Sequence, residues 1–583
     1  MKVKTKFLKI ISDIHTPVGV YLKLRDLYSK VFLLESSDYK GSENSLSFIC
    51  FDSKAQISVH NDIVTTIFDS KELKNKIERD KGVSYHLNKF INQFKVEKNE
   101  FEYPSNGLFG YISYDSIKYS DNISISNPKE INIPEILYDA FKYVIVFNHY
   151  NNELIIFEHL YGDDNISEIE KIKNIISGKP VNPFSFKIDK DERTNLSDVH
   201  FKKLVDKGIN HCKLGDVFQL VLSKRFYQDF QGDEFQVYRA LRSINPSPYL
   251  FYFDYGSFKI FGSSPEAQIV IKNDKATIYP IAGTFKRTGD DEYDKKQAEK
   301  LSKDTKENSE HVMLVDLARN DLSKISKNVE VERFKDIQFY SHVIHLVSKV
   351  SGKISSDKKI DLISGTFPAG TLSGAPKHKA MQLIEDYENL SREFYGGAIG
   401  FMGFNGDFNH AIIIRSFLSK NRKLFYQAGA GIVYKSDRDS ENQEVYNKIE
   451  VLRKDGSIAK TVTLHECYPT SMDAIELSMD SSDEVMKFSF DLSYRYFTEE
   501  DAEGFGELSL RQPKESSFNL SSINRGRRGF DAILDSLSVA SRFNSKAGDL
   551  LRKLSRLDTF ITRAGTIGRD INPNYITEKR RGG

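Results

Sequence analysis

Residues 424–453 read LFYQAGAGIV YKSDRDSENQ EVYNKIEVLR, and the stretch changes character twice. Leu424 to Tyr426 is a short apolar run that suits a strand. Gln427-Ala-Gly-Ala-Gly-Ile-Val433 follows, where Gly429 and Gly431 admit a tight turn and let backbone N–H groups approach an anion. Glu441 to Arg453 then suits a helix, with Glu441, Glu444 and Lys448 sharing a face. Strand, glycine-rich turn and helix in succession place this part of the chain in a mixed α and β class.

The same mixture extends back to about residue 191. Phe218 to Leu222 and Phe251 to Phe253 read as strands, and Lys306 to Leu317 as a helix. Residues 198–213 predict a helix capped by Asp198, with Phe201, Leu204, Val205 and Ile209 on one face. Residues 180–197, with Pro180 and Pro183, read as a linker. Before it, Val31 to Leu34, Tyr143 to Phe147 and Leu154 to Phe157 predict a sheet-rich domain over 1–190. A second domain spans 191–454.

The 583 residues exceed one ordinary domain. With 39% hydrophobic and 28% charged residues the composition is globular. A net charge of +1 leaves no overall field to draw in nucleic acid or a membrane surface, so any anion site is local. Cys50, Cys212 and Cys467 form neither a metal-type pair nor a disulfide framework. Lysines at 2, 4, 6 and 9 break the apolar N-terminus, which makes a poor signal peptide. No apolar run reaches the about 20 residues of a membrane helix. A cytoplasmic protein is expected.

Glu307 and Glu310 share a face of one predicted helix, as Glu441 and Glu444 do of another. Two such pairs suit a hard dication such as Mg²⁺, which takes oxygen ligands and keeps waters. Each pair alone reads as a solvated helix face, with Glu444–Lys448 a surface ion pair. Glu266, in Gly262-Ser-Ser-Pro-Glu266, and His345, in Ser341-His-Val-Ile-His-Leu346, are candidate acids or bases. His342 and His345 point to opposite faces of an extended segment, which excludes a metal pair. Gly396-Gly397 and the segment Gly370 to Gly374 are further glycine-rich turns.

Longer words narrow this reading. Gly215-Asp-Val-Phe-Gln-Leu-Val-Leu-Ser223, Asn245-Pro-Ser-Pro-Tyr249, Gly262 to Glu266, Pro280-Ile-Ala-Gly-Thr284 and Glu310-His-Val-Met-Leu-Val-Asp-Leu-Ala-Arg-Asn-Asp321 come first. Phe367-Pro-Ala-Gly-Thr-Leu-Ser-Gly-Ala-Pro-Lys377, Tyr395-Gly-Gly-Ala-Ile-Gly400, Ile414-Arg-Ser416 and Gln427 to Val433 follow. In this order they resemble the chorismate-utilising enzyme family, within it the large subunits of anthranilate synthase, over residues 1 to about 453. The resemblance implies an α+β fold, an α/β sandwich, whose deep active site binds chorismate and Mg²⁺. It implies Glu310 and Glu444 as principal Mg²⁺ ligands with Glu307 and Glu441 close by. Tyr395, Arg415 and the backbone at Gly429, Ala430 and Gly431 resemble a clamp on the enolpyruvyl carboxylate. Lys448 would add charge near the ring carboxylate, and Thr371 would touch the ring. Glu266 resembles the general acid for the departing ring hydroxyl, and His345 the group that helps remove the ring proton.

Two positions separate the family's members. Those that add water to chorismate carry a Lys base where this chain has Gln219. Those that make aminodeoxychorismate carry a Lys where it has Ala282. Without either amine, ammonia is the expected nucleophile and anthranilate the product, with aminodeoxychorismate or isochorismate synthesis as the alternatives. No Gly-x-Cys-x-Gly elbow occurs, so ammonia from glutamine implies a separate glutamine amidotransferase subunit. Val31-Phe-Leu-Leu-Glu-Ser36 resembles part of the family's tryptophan feedback site, to which Glu35, Ser36, Asn245, Pro246, Leu250 and Phe251 would belong. L-tryptophan is then the expected inhibitor, acting through a conformation that binds chorismate poorly. Asp439-Ser-Glu-Asn-Gln443 departs from the family's usual Pro-Glu-x-Glu-Tyr.

Beyond Lys454 the character changes. Thr461 to Pro469 and Glu484 to Phe497 resemble the C-terminal strands of contractile-phage tail tube proteins, and 455–499 reads as a β-rich fragment. Residues 486–496 alternate strictly and predict one strand. Residues 500–583 read as a basic, mostly flexible tail, with NRGRRG at 524–529, KRRGG at 579–583 and an amphipathic helix within 530–560. The tail's sparse charges and lack of interleaved aromatics fit a solvated segment rather than a nucleic-acid site. A structural role carried by this extension is the non-enzymatic alternative.

Overall fold

The computed structural model describes residues 1–36, 45–78, 81–97, 101, 103–162, 166–179, 181, 183–189, 191–286, 291–339 and 343–453, with short strands beyond. Two antiparallel sheets lie face to face. In the first, Lys2–Ile11 is followed in order by Glu153–Tyr161, Ile136–Asn148, Leu46–His60, Val31–Glu35, Tyr249–Asp254, Lys259–Ser264, Ser416–Lys420, Lys423–Ile432 and Gln219–Gly232. The second begins where Ile136–Asn148 also pairs with Leu108–Ile112. It continues through Ala398–Met402, Phe408–Ile412, Ala267–Lys272, Lys275–Ile278 and Val343–Lys353. The long strand Leu46–His60 follows Ile136–Asn148 between the two sheets by bending at a bulge between Ser53 and Ala55. There Asp52 takes φ +63°, a conformation Asp tolerates better than most residues.

Phe32, Phe253 and Leu418 of the first sheet share one buried cluster with Phe109, Ile399 and Ala411 of the second. Helices cover the outer faces. Phe201, Leu204, Leu383, Val445 and Ile449 pack on Leu220, Leu222, Ala428 and Ala430 of the first sheet. Leu87, Val315, Leu322 and Ile363 pack on Ile269, Ile271 and Ala276 of the second. Helix, sheet, sheet, helix is the expected α/β sandwich. Each large apolar side chain so buried contributes about 1.5–3 kcal/mol.

The division expected at residue 190 needs correction. Val31–Glu35 pairs with Tyr249–Asp254, and Leu108–Ile112 with Ala398–Met402, so both sheets draw on both halves of the chain. Residues 1–456 form one unit and 457–583 another. The supposed linker also contributes strands: Phe186–Ile188 and Arg193–Thr194 pair with Gln219–Gly232. The helix Asp198–Leu214 is capped by Ser197, whose hydroxyl accepts from the His200 amide at 3.3 Å. Asp198 instead accepts from the Tyr446 hydroxyl at 2.8 Å and from the buried Lys224. That ties the helix to Arg438–Arg453.

In the second unit Lys460–His465 pairs with Tyr496–Asp501. Phe490–Ser493 lies between Tyr468–Met472 and Ser516–Phe518. The single strand expected over 486–496 is represented by Phe490–Ser493 and the start of Tyr496–Asp501. Residues 486–489 and 494–495, the basic runs at 524–529 and 579–583 and the helix expected within 530–560 lie outside the described residues, as does His342. Among the described residues no helix is long and apolar enough to cross a membrane.

Candidate active site

Glu266 lies between the strands Lys259–Ser264 and Ala267–Lys272, its carbonyl accepting from the Ile412 amide at 2.9 Å. The Thr371 hydroxyl donates to its carboxylate at 3.2 Å. Burial drives the Glu266 pKa up to about 7, against the opposing pull of that hydrogen bond and of the Arg415 charge. The Arg415 guanidinium is itself lowered by burial, with Glu266 opposing. Arg415 sits at φ +50° between the strands Phe408–Ile412 and Ser416–Lys420. A left-handed backbone at a non-glycine residue is uncommon, and such strain gathers at functional sites.

Tyr395 is 5% exposed and packs with Leu372 and Ile412, with Ala369 and Ile414 against them. This apolar cluster joins the segments that carry Thr371 and Arg415 to the Tyr395 turn. Burial raises the Tyr395 hydroxyl, and the Gly429 amide hydrogen-bonds to it. The turn expected at Gln427–Val433 is absent, because the strand Lys423–Ile432 runs on through both glycines against Gln219–Gly232. The glycines serve close approach instead. A methyl on Gly429 would lie 2.9 Å from the Leu222 carbonyl and 3.1 Å from the Tyr395 hydroxyl, and one on Gly431 2.9 Å from Gln219 Nε2. Ala430 is fully buried among the residues beneath the helices, so it offers the site backbone only.

Gln219 donates to Glu310 at 3.0 Å, while Lys448 donates to the Gly429 carbonyl at 2.8 Å and pairs with Glu444 at 2.7 Å. Glu310 and Glu444, on the helices Thr305–Ser323 and Arg438–Arg453, thus reach the two ends of one glycine run. Glu307 lies a turn before Glu310, its amide bonded to Asp304 at 3.0 Å, and Glu441 is partly buried a turn before Glu444. Among the described residues no three acidic, His or Cys side chains are grouped to hold a metal. His345 is buried on Val343–Lys353, opposite Thr284 and Gln338, and Ala282 lies on the neighbouring strand opposite Leu346. The helix bearing Glu307 and Glu310 packs on these strands.

The residues expected to bind tryptophan lie elsewhere. Glu35, 4% exposed, accepts from the Tyr238 hydroxyl at 2.6 Å and from Arg242 at 3.1 Å. Glu35, Ser36, Leu250 and Phe251 line a cavity of about 1100 Å³ that Lys275 and Lys349 also line. None of Glu266, Thr371 or Arg415 lines it. Asn245 and Pro246 are outside its lining; Asn245 closes the helix Phe235–Ile244, and its carbonyl accepts from Ser263.

Sequence reasoning missed the charges buried under the site. Arg392 binds Glu388, and Arg225 binds Glu393 at 3.0 Å. Their signal was the pair Arg392-Glu393 set just before the Tyr395 word. Asp115, 2% exposed, accepts from the Glu393 amide at 3.2 Å. Burial first, then the Glu393 charge, pushes its pKa up to about 7. A folded pKa above the ordinary 3.8 gives stability that is full below that value and lost as pH rises through about 7. Asp115→Asn keeps the acceptor and removes the ionisation. The variant is expected to be more stable than the parent at pH 8, on the order of 1–3 kcal/mol, with the gap closing at pH 4. Urea midpoints at both values check this, and equal midpoints at pH 8 count against it.

Comparison with known proteins agrees with this fold. Residues 30–454 match the chorismate binding enzyme family. The anthranilate synthase component 1 of Aquifex aeolicus is 35% identical over 476 residues, covering 78% of this chain and 94% of that protein. Its counterpart in Acetivibrio thermocellus is 35% identical over 472 residues, covering 77% and 94%. The crystal structure of anthranilate synthase component I from Streptococcus pneumoniae aligns with a TM-score of 0.61 at 30% identity, covering 76% of this chain and 98% of that one. The menaquinone-specific isochorismate synthase of Escherichia coli shares the fold, with a TM-score of 0.60 at 18% identity over 78% and 94% of the two chains. On the strength of the matched span and these relatives, the chain belongs to the chorismate binding enzyme family.

Proposed function

We propose that this chain is the large subunit of an anthranilate synthase, converting chorismate and ammonia to anthranilate and pyruvate. The observation that carries the reading is Glu266, a carboxyl held near neutrality by burial between Thr371 and Arg415, one apolar cluster away from the Tyr395–Gly429 contact. A carboxyl with that proton affinity can protonate a leaving hydroxyl at neutral pH.

Arg415, Tyr395 and the Gly429–Gly431 backbone receive the enolpyruvyl carboxylate, the guanidinium matching it with parallel donors. Lys448 brings positive charge to the Gly429 carbonyl. Ammonia's lone pair forms the new C–N bond, the ring double bonds shift, and the ring hydroxyl leaves with the Glu266 proton as water. In the second stage the enolpyruvyl C–O bond breaks and a ring proton departs with help from His345. Pyruvate leaves and the ring becomes aromatic. Gln219 is neutral and engaged by Glu310, so it offers no base for activating water. Ala282 carries no amine to attack the ring.

The donor chemistry fits Mg²⁺: Glu310 and Glu444 are hard oxygen donors at the two ends of the glycine run, few enough to leave places for water and substrate. When bound there, the ion supplies charge neutralisation and orientation for the ring carboxylate. Glu307 and Glu441 stand a turn behind them. Ammonia would come from a separate glutamine amidotransferase subunit. L-tryptophan would bind in the cavity at Glu35, Ser36, Leu250 and Phe251, where the Glu35 carboxylate suits its amino group.

The test is a product assay on the purified chain with chorismate, Mg²⁺ and ammonium, read by fluorescence and mass. Anthranilate is expected without a partner subunit, and added L-tryptophan is expected to slow it. A hydroxylated or non-aromatic aminated product would overturn the argument from Gln219 and Ala282.

A further inference from the structure

Arg392 is 2% exposed, and four hydrogen bonds hold its guanidinium. Two go to Glu388, at 2.8 and 2.6 Å; the others go to backbone carbonyls, Leu372 at 2.6 Å and Val221 at 2.7 Å. Glu388 is held in turn by the Ser223 amide at 2.8 Å and the Ser223 hydroxyl at 2.7 Å. The guanidinium carbon lies 4.9 Å from the Tyr114 ring centre and 5.8 Å from that of Tyr395.

The two carbonyls belong to segments that carry the reaction. Leu372 follows Thr371, the donor to Glu266. Val221 lies two residues past Gln219, the donor to Glu310, on the strand paired with Gly429 and Gly431. Tyr395 lies three residues past Arg392 itself. A buried ion pair is a poor choice for stability alone, since apolar side chains of similar volume often hold a core as well. What the planar fork adds is direction: several donors fixed in one plane, which lysine cannot reproduce.

We propose that Arg392, gripped by Glu388, is a positioning residue for the reaction: it holds Thr371 against Glu266 on one side and Tyr395 against Gly429 on the other. This rests on the reading of Glu266 as the general acid. Through the Leu372 carbonyl, Arg392 sets where the Thr371 hydroxyl sits. That hydrogen bond favours the charged form of Glu266, as does Arg415, the charged side chain that reaches it. Loosening Thr371 therefore raises the pKa of the acid and moves the alkaline limb of the rate profile to higher pH.

The experiment compares Arg392→Lys, Thr371→Val and the double variant in the full chain, with kcat and KM for chorismate measured across pH. Arg392→Lys is expected to lower kcat by about 10–100-fold through misplacement. It should also raise KM and move the alkaline limb up by about one pH unit, as Thr371→Val does. The double variant should move the limb no further than either single, because both act through one hydrogen bond. A uniform loss of rate with the limb unmoved, or limb shifts that add, overturns the proposal. Should Arg392→Lys fail to fold by circular dichroism, Ser223→Ala loosens Glu388 more gently. It is expected to move the limb in the same direction by less, and an unmoved limb there also overturns the proposal. Glu266→Gln separates the two readings: if it keeps full activity, the acid assignment fails, whereas an inactive Glu266→Gln beside an unmoved limb in Arg392→Lys rejects the positioning role alone.

Discussion

Glu266→Gln is expected to lower kcat by about 10²–10⁴-fold while leaving chorismate binding largely intact. The amide keeps the size of the side chain and can still accept from Thr371, now 3.2 Å away, but it has no acidic proton to give the departing hydroxyl. In the parent enzyme the rate should fall tenfold per pH unit above about 7, because only the protonated carboxyl serves. In the variant that limb should disappear along with most of the rate. Stability should move the other way. Glu266 has a folded pKa raised above its ordinary 4.5, so its contribution is full below that value and lost as pH rises through about 7. Glutamine does not ionise, and the variant is expected to outlast the parent in thermal melts at pH 8. A variant with near-parental kcat, or a parent whose rate is flat from pH 6 to 9, would remove Glu266 from its role.

The second large effect is expected at Glu444. Glu444→Ala should cost more than about 10³-fold in turnover at any Mg²⁺ concentration, since charge neutralisation of a substrate carboxylate by a dication is worth several kcal/mol. The side chain is about half exposed and bonded to Lys448, itself half exposed, so little packing is lost. Lys448 keeps its bond to the Gly429 carbonyl. The variant should therefore show the parental circular dichroism spectrum and melting temperature. Normal turnover at ordinary Mg²⁺ would sink the metal assignment, and a collapsed fold would show that the helix Arg438–Arg453 depends on Glu444 in a way its exposure does not suggest.

Much of the site was readable because its parts lie in short words. Glu266 stood out as a candidate acid from local sequence, whereas Tyr395, Arg415 and the α/β sandwich came from the family resemblance of those words, the mixture of strands and helices giving only a mixed α and β class. The glycine run was misjudged in kind. Gln-Ala-Gly-Ala-Gly offers the same local permissiveness to a turn and to a strand that a tyrosine must approach closely. Only the pairing with Gln219–Gly232 chose between them. The boundary at 190 failed for a related reason. Val31–Glu35 is buried on both faces, and nothing local shows that its partner strand begins at Tyr249.

The sequence by itself determined which chemical groups are available to the proposed site: a carboxylic acid, an arginine, a tyrosine, two pairs of glutamates, and no lysine at positions 219 and 282. Those are matters of residue identity, fixed before folding. Only the tertiary structure decided what these groups are worth. It buried Glu266 until its proton is held to about pH 7, bent Arg415 into a left-handed backbone, and set Glu310 and Glu444 about the two glycines of one strand, through Gln219 beside Gly431 and Lys448 on Gly429. It also placed Arg392 where one guanidinium spans segments from Val221 to Leu372. Desolvation and hydrogen-bond geometry depend on neighbours distant in sequence, and those neighbours exist only once the two sheets have closed on each other.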